Sequence, residues 1–294
     1  MNGSTAESSA RRQFSPEALF VLSAIAQYTG ATIAISLFDS VAPATMAMLR
    51  LIGAALVLVA IAFRHMGGWT RQQLLAAAIF GTATALMNLC FYLAIDRLDL
   101  GKGVVLEFIG PIAVAAWFTR TRRNAAALLL AVVGVLVLSG VELDNEPLGL
   151  LFIFMAAGLW ATYIVVGQRV AALDRGLAGL AMGMVVCSVV LMPLGLAQSG
   201  DVWSNPSWIL AGMLAGVLSN AIGYGIDQVV FRRIPVRRFA VLLALLPVTA
   251  MVMGWLALDQ VPSSLDLLGA GFVIAGVLVQ EREELTTHVV EVPA

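Results

Sequence analysis

Apolar residues run along most of the chain in stretches of about 20 residues, separated by short polar connections. A helix that crosses a membrane needs about 20 consecutive apolar residues, because the hydrocarbon core is roughly 30 Å thick. Each stretch is predicted to be a helix, since a backbone in lipid must satisfy its own hydrogen bonds. The ten stretches are 18–38, 42–63, 74–95, 100–118, 125–141, 148–168, 177–197, 208–230, 238–258 and 265–280.

The composition agrees with a membrane location. Apolar residues make up 60% of the 294 residues and charged residues only 12%, and the mean hydropathy is +0.93. Soluble domains carry about 25% charged residues. We therefore predict an all-α integral membrane protein surrounded by the lipid bilayer. Nucleic acid is not a predicted partner, because the basic residues are spread over several connections and form no single patch.

The distribution of basic residues predicts the orientation. With the N-terminus inside, fourteen arginines fall in cytoplasmic segments, and only Arg97 and Lys102 fall outside. Both tails, residues 1–17 and 281–294, are therefore expected on the cytoplasmic side of the cell's inner membrane. The two cysteines lie inside predicted spans and the two histidines lie in a loop and a tail. This predicts no disulfide, metal site or cofactor.

The sequence repeats itself. A shift of 132 residues, which becomes 136 further along, superposes the second half on the first. We predict two five-helix repeats, residues 18–141 and 148–280. Because five spans is an odd number, the second repeat is inverted relative to the first, a plan found in many transporters. The pairs that coincide include Asn88 with Asn220, Tyr92 with Tyr224 and Pro111 with Pro247.

One carboxylate stands out in the fourth stretch, in the segment VVLEFIGP at 104–111. Glu107 lies about seven residues into this span, roughly 10 Å deep. An ionised carboxylate there costs several kcal/mol unless it is paired, hydrated or protonated. Pro111 has no N–H, so the carbonyl of Glu107 loses its helical partner. Gly110 and Pro111, and Pro247 in the second repeat, are predicted to mark helix kinks.

Arg50 lies at a similar depth in the second stretch, so we predict an ion pair between Arg50 and Glu107. Two interpretations are open. The pair is either a fixed contact that holds two helices together, or one that opens to receive the carboxylate and ammonium of a zwitterion.

Further polar and aromatic residues follow helical faces within the predicted spans. They either join helices to one another or line a cavity. Asp227, near the inner end of its span, is predicted to form an interfacial ion pair with Arg232 and Arg233. The candidate cavity residues are Gln27, Tyr28, Asn88, Tyr92, Trp160, Tyr163, Asn220 and Tyr224.

Four segments carry a resemblance to a known family: ATMAMLRLIGAAL (44–56), MNLCFYLAI (87–95), LGKGVVLEFIGPIAVA (100–115) and WATYIVVGQR (160–169). Over about 20–280 the chain resembles the EamA branch of the drug/metabolite transporter superfamily, and within it the RhtA-type threonine and homoserine exporters. The resemblance implies ten helices in two inverted repeats and export of small amino acids or related metabolites, driven by protons. The residues of this chain that match the motifs of that family are Arg50, Asn88, Tyr92, Glu107, Gly110 and Pro111.

The second half departs from that family pattern. Leu246-Pro247 stands where the family tends to have Glu-Pro, and Asp259-Gln260 where it tends to have Gly-Glu. A carboxylate that the family usually keeps in this half is therefore missing. Glu107 is left as the main candidate for proton coupling.

The sequence thus predicts a secondary active transporter that exports small amino acids or related metabolites by alternating access, with protons as coupling ions. A broad-specificity metabolite or drug exporter of the same superfamily is the alternative. An intramembrane enzyme is disfavoured, because the chain has no H-E-x-x-H, no G-x-S-x-G and no intramembrane aspartate pair. A channel is disfavoured because a passive pore does not need an inverted duplication.

Overall fold

The computed structural model describes residues 15–118, 121–142, 146–171, 175–231 and 245–279. Within these ranges all regular structure is helical, which confirms the predicted fold class. A π-helical segment, Val217–Gly223, joins α9 to α10. The α-helices are α1 (Pro16–Ile35), α2 (Pro43–Ala62), α3 (Arg71–Ile95), α4 (Leu100–Glu107), α5 (Ile109–Phe118), α6 (Arg122–Glu142), α7 (Pro147–Ala171), α8 (Gly176–Ala197), α9 (Pro206–Gly216), α10 (Tyr224–Phe231), α11 (Leu245–Leu258) and α12 (Ser264–Val279).

Six helical runs in the described ranges are long and apolar enough to cross a membrane. They are α1, α2, α3, α7, α8 and the continuous run from α9 into α10. Large apolar side chains point away from the protein on these runs, among them Leu56, Ile61 and Leu210. Such a surface suits lipid tails and not water. The chain is therefore a multi-pass membrane protein, as predicted.

Helices also occupy the described parts of the other four predicted stretches. The stretch at 100–118 holds α4 and α5, 125–141 holds α6, and the last two hold α11 and α12. Residues 238–244 and 280 lie outside the described ranges, as do residues 1–14 and 281–294 and the arginines at 232, 233, 237 and 238. The number of membrane crossings and the orientation of the chain remain predictions.

The fourth predicted stretch is interrupted beside its carboxylate. The α4 helix ends at Glu107 and α5 begins at Ile109, with Phe108 between them. The interruption lies three residues before Pro111, which has no N–H to donate to the carbonyl of Glu107. The α-helix is therefore interrupted directly after the residue that carries the carboxylate.

Helices from the first half of the chain pack mainly against helices from the second. The pairs that lie against each other include α2 with α8, α4 with α11 and α6 with α12. The α3 helix contacts α7 and α8, while α1 contacts α9, the π-helical segment and α11. The α2 helix is deeply buried, with Met46, Met48 and Leu51 fully enclosed. The core of the described structure therefore lies between the two halves.

Gly216 permits the close approach of α2 to the end of α9, because a Cβ there would overlap the carbonyl group of Arg50. We expect Gly216→Ala to force the helices apart and to destabilise the protein by about 1–3 kcal/mol, the usual cost of overpacking. Thermal unfolding of the detergent-purified protein measures this loss. Gly225→Ala is the matched control, since nothing lies within 4 Å of a Cβ at that position. Equal unfolding temperatures for the two variants would contradict the packing described here.

Candidate functional site

Arg50 lies in the middle of α2 and is only 4% exposed. Its Nη2 donates a hydrogen bond to Ser219 Oγ over 2.5 Å. The guanidinium carbon lies 4.1 Å from the centre of the Tyr92 ring, which is a cation–π contact. The Nε and Nη1 groups are buried and have no hydrogen-bond partner in the described ranges. The arginine therefore keeps unused donors in the protein interior.

The predicted ion pair between Arg50 and Glu107 is wrong for this structure. Among the described residues no ion pair joins the two side chains, and Arg50 contacts Ser219 and Tyr92. The prediction used only the equal depth of the two residues. Each residue turns a helix by about 100°, so the rotation of the two helices decides which side chains meet.

Ser219 is a site residue that the sequence reasoning missed. It lies on the π-helical segment, and its hydroxyl donates to the carbonyl of Ala215 over 2.6 Å while accepting from Arg50. Asn220, the next residue, is 1% exposed and its Oδ1 lies 3.1 Å from Ser219 Oγ. The repeat gives no signal for this serine, because the shift of 132 places it on the apolar Met87. Segments of π-helix occur often at functional sites.

Glu107 is the last residue of α4 and is 8% exposed. It lies within electrostatic range of Tyr28 on α1, Cys90 on α3 and Tyr224 on α10. Within the described part of the chain its carboxylate makes no hydrogen bond or ion pair. A carboxylate in this setting is suited to accept a proton or a cationic group.

Tyr224 lies between the two buried ionisable residues in an electrostatic sense, because both Arg50 and Glu107 are within electrostatic range of it. Tyr163 on α7 also lies within range of Tyr224, and its ring packs against Phe80 with centroids 4.9 Å apart. The predicted candidates Tyr28, Tyr163 and Tyr224 therefore come together. Each of the three also lies within electrostatic range of Asp227.

Trp160 borders the same region from α7. Its ring meets the ring of Phe108 edge to face, with centroids 5.2 Å apart. Gly110 lies against the same helix, because a Cβ there would overlap the carbonyl of Ala157. The interrupted segment between α4 and α5 is thus seated closely on α7. The third predicted kink residue, Pro247, is buried in the first turn of the described part of α11.

Asn88 and Tyr92 differ although both lie on one face of α3. The side-chain amide of Asn88 donates to the carbonyl of Thr84 in the same helix over 2.9 Å. The hydroxyl of Tyr92 is buried and has no hydrogen-bond partner among the described residues. Tyr92 therefore offers an unused polar group next to Arg50, whereas one donor of Asn88 is tied to its own helix.

Asp227 is held against α1. Its Oδ1 accepts a hydrogen bond from Ser23 Oγ over 2.6 Å, and its Oδ2 accepts from Gln27 Nε2 over 3.1 Å. The predicted ionic partners, Arg232 and Arg233, lie outside the described residues. These hydrogen bonds join the Asp227 carboxylate to α1 inside the helix bundle. Gln27, which was predicted to line a cavity, uses its side-chain amide to bind Asp227.

A second polar group joins the start of α4 to the connection between α11 and α12. The N–H of Leu100 donates to Gln260 Oε1 over 2.9 Å. Lys102 Nζ lies 3.2 Å from Asp99 Oδ2 and 3.7 Å from Asp266 Oδ1. We name this group the outer contact, because the predicted orientation puts it on the outer side. Gln260 thus caps a helix of the other half.

Buried residues of opposite charge type inside a multi-pass helical bundle point to a membrane transporter, since such residues often mark solute or ion pathways. Residues 147–280 match the EamA-like transporter family. The chain is 32% identical over 249 residues to the threonine/homoserine exporter RhtA of Escherichia coli (strain K12), with 84% of each chain covered. RhtA of Salmonella typhimurium (strain SL1344) is also 32% identical, over 250 residues and 84% of each chain.

Two more distant proteins are also similar to this chain. The uncharacterized inner membrane transporter YicL of Salmonella typhimurium (strain LT2) is 23% identical over 248 residues, which cover 79% of this chain and 83% of YicL. A crystal structure that is 17% identical shares the fold, with a TM-score of 0.63 over 91% of this chain and 96% of the other. The chain belongs to the EamA-like transporter family, and it is a transporter and not an enzyme.

Proposed function

We propose that this transporter exports small amino acids or related metabolites of the threonine and homoserine type, by alternating access and in exchange for protons. Relatives that are named as threonine and homoserine exporters support the substrate class. The observation that carries the proposal is the pair of buried opposite charges that are not bonded to each other, Arg50 and Glu107. An amino acid presents one carboxylate and one ammonium group, which are the complements of these two side chains.

We further propose ten membrane crossings in two inverted repeats, residues 18–141 and 148–280. The helix contacts support this arrangement. By the repeat shifts, α1, α2, α3 and α5 of the first half correspond to α7, α8, α9 and α11 of the second. The contact of α2 with α9 then corresponds to the contact of α8 with α3, and both are present. The contact of α1 with α11 likewise corresponds to that of α7 with α5, and both are present. An axis in the membrane plane produces such a correspondence. The basic residues favour an inner membrane protein with both tails in the cytoplasm.

In the proposed cycle the solute enters from the cytoplasm while the outer contact is closed. The outer contact then separates, and the solute leaves. Glu107 couples the two fluxes, because the ammonium group of the solute and a proton compete for the same carboxylate. Entry of a proton from outside therefore favours release of the solute, which makes the exchange an antiport.

Counterflow in vesicles tests the proposed function. Purified protein is reconstituted into vesicles loaded with unlabelled threonine or homoserine, and labelled threonine is added outside. We expect transient accumulation of the label, which an exchanger produces and a channel does not. Strong competition by cationic dyes would favour the broad-specificity alternative. No accumulation with either amino acid would overturn the proposed substrate class.

A further inference from the structure

We infer that Arg50 binds the carboxylate group of the transported solute, and that Ser219 positions the guanidinium for it. The inference rests on the proposed function and adds the donors that bind the carboxylate, Nε and Nη1 of Arg50, and the positioning role of Ser219. Carboxylate recognition in the interior requires a fixed cation with unused donors. Arg50 meets both conditions.

The guanidinium has five N–H donors, and the described hydrogen bond to Ser219 uses one of them. The donors on Nε and Nη1 have no partner among the described residues although both atoms are buried. Leaving charged donors unpaired inside a protein is costly, and a carboxylate removes this cost by accepting from an arginine in a planar fork. The free donors therefore point to an anionic ligand.

The neighbours of Arg50 hold the guanidinium in place and leave its charge uncompensated. The ring of Tyr92 covers one face, and Ser219 is itself fixed by its hydrogen bond to the carbonyl of Ala215. The titratable side chains within electrostatic range of Arg50 in the described ranges are Tyr92 and Tyr224, which carry no charge when protonated. A single positive charge matches a ligand group with a single negative charge, such as a carboxylate.

The hydroxyl of Tyr92 supports the same assignment. It is buried and has no partner among the described residues, like the free donors of Arg50. The two side chains come from α3 and α2 and are in direct contact. Unused polarity on two adjacent helices is unexpected in a packed interior, where polar groups are normally paired. A ligand oxygen that accepts from these groups accounts for both residues.

Ligand-dependent thermal stabilisation of the purified full-length protein tests the inference, because the shift in Tm with concentration reports the affinity. The probes are pairs with and without a carboxylate, namely threonine with threoninamide and homoserine with its lactone. Wild-type protein is expected to bind the carboxylates at least about thirtyfold more tightly, as found when buried charge pairs lose one partner. Arg50→Gln is expected to lose this preference, and Arg50→Lys to retain part of it. Ser219→Ala is expected to weaken binding but to keep the preference.

Arg97→Gln is the matched control, since Arg97 is a partly exposed arginine that pairs with Asp96. Equal binding of threonine and threoninamide by wild-type protein, or an unchanged preference in Arg50→Gln, would overturn the carboxylate site, whereas the counterflow assay decides separately whether amino acids are transported. Binding of hydroxy acids without binding of amino acids would keep the site and overturn the proposed substrate class. The wild-type comparison requires no variant to fold, and a wild type that responds to none of the carboxylates would overturn both proposals.

Discussion

The double substitution of Gly101→Cys with Met251→Cys is expected to arrest transport when the two thiols are oxidised to a disulfide, and reduction is expected to restore it. A Cβ at position 101 would lie 3.1 Å from the Cβ of Met251 and 2.8 Å from its Cα, which is closer than in a relaxed disulfide, so α4 and α11 must move slightly apart to hold the bridge. Gly101 is in the first turn of α4, and Met251 is in the middle of α11. The bridge would therefore join the two halves of the chain beside the outer contact.

The expected loss of transport follows from alternating access. If the solute leaves between α4 and α11, each cycle must separate the residues of the outer contact. The polar part of the wild-type contact includes the hydrogen bond of Leu100 to Gln260 and the ion pair of Lys102 with Asp266. Each contributes about 1 kcal/mol. A covalent bridge at the same place removes the open state altogether.

Threonine counterflow in vesicles, measured before oxidation, after oxidation and after reduction, checks this prediction. Each single substitution treated with the same oxidant is the control for the change of side chain. The native cysteines, Cys90 and Cys187, are buried. Full counterflow by completely cross-linked protein would show that these ends stay together, and the exit would have to lie elsewhere.

The helices could be predicted from sequence, because an apolar stretch that is long enough to cross the lipid must be helical. Their ends were less accurate where polar residues continue the helix. The stretch predicted at 74–95 is α3, which already begins at Arg71 behind a capping box formed by Thr70 and Gln73. Hydropathy marks only the part of a helix inside the hydrocarbon, whereas the hydrogen-bonded helix extends into the polar interface. Hydropathy therefore predicts the membrane-embedded part of a helix better than it predicts where the helix begins and ends.

The candidate site could be predicted only in part. A carboxylate in an apolar run is visible in any sequence, and Pro111 indicates the interruption beside it, so Glu107 was identified. The predicted ion pair of Arg50 with Glu107 was wrong, because the depth of two residues in the membrane does not determine how their helices are rotated about their axes. The hydrogen bonds of Asp227 to Ser23 and Gln27 join residues about 200 positions apart. The π-helical segment that carries Ser219 was not predicted, because hydropathy does not distinguish a π-helix from an α-helix.

Glu107→Gln is expected to abolish the dependence of export on the pH gradient while retaining exchange of solute. Glutamine keeps the size and polarity of the side chain but has no site for a proton and no charge for an ammonium group. If one proton is exchanged for each solute, a pH difference of 1 unit sustains roughly a tenfold solute gradient. The variant should sustain none, because nothing links the two fluxes. Outside acid should accelerate export by wild-type protein, since protons enter as the solute leaves.

Proteoliposomes with an imposed pH difference measure this effect as the ratio of threonine inside and outside at steady state, and counterflow at equal pH measures exchange. The titratable side chains within electrostatic range of Glu107 in the described structure are Tyr28, Cys90 and Tyr224. Tyr28→Phe and Tyr224→Phe therefore accompany the test, and both are expected to keep the pH dependence. Exchange by the glutamine variant shows that it is folded and able to bind solute.

Asp227→Asn is the matched control, because Asp227 is another carboxylate in the bundle but is already bonded to Ser23 and Gln27. It is expected to lower thermal stability and to keep the proton-driven gradient, since its carboxylate serves as an acceptor for α1. A gradient that survives Glu107→Gln and is lost in Asp227→Asn would reverse the two roles. The proton would then act on the second half of the chain, and the unpartnered carboxylate of Glu107 would be left as the receptor for the solute's ammonium group.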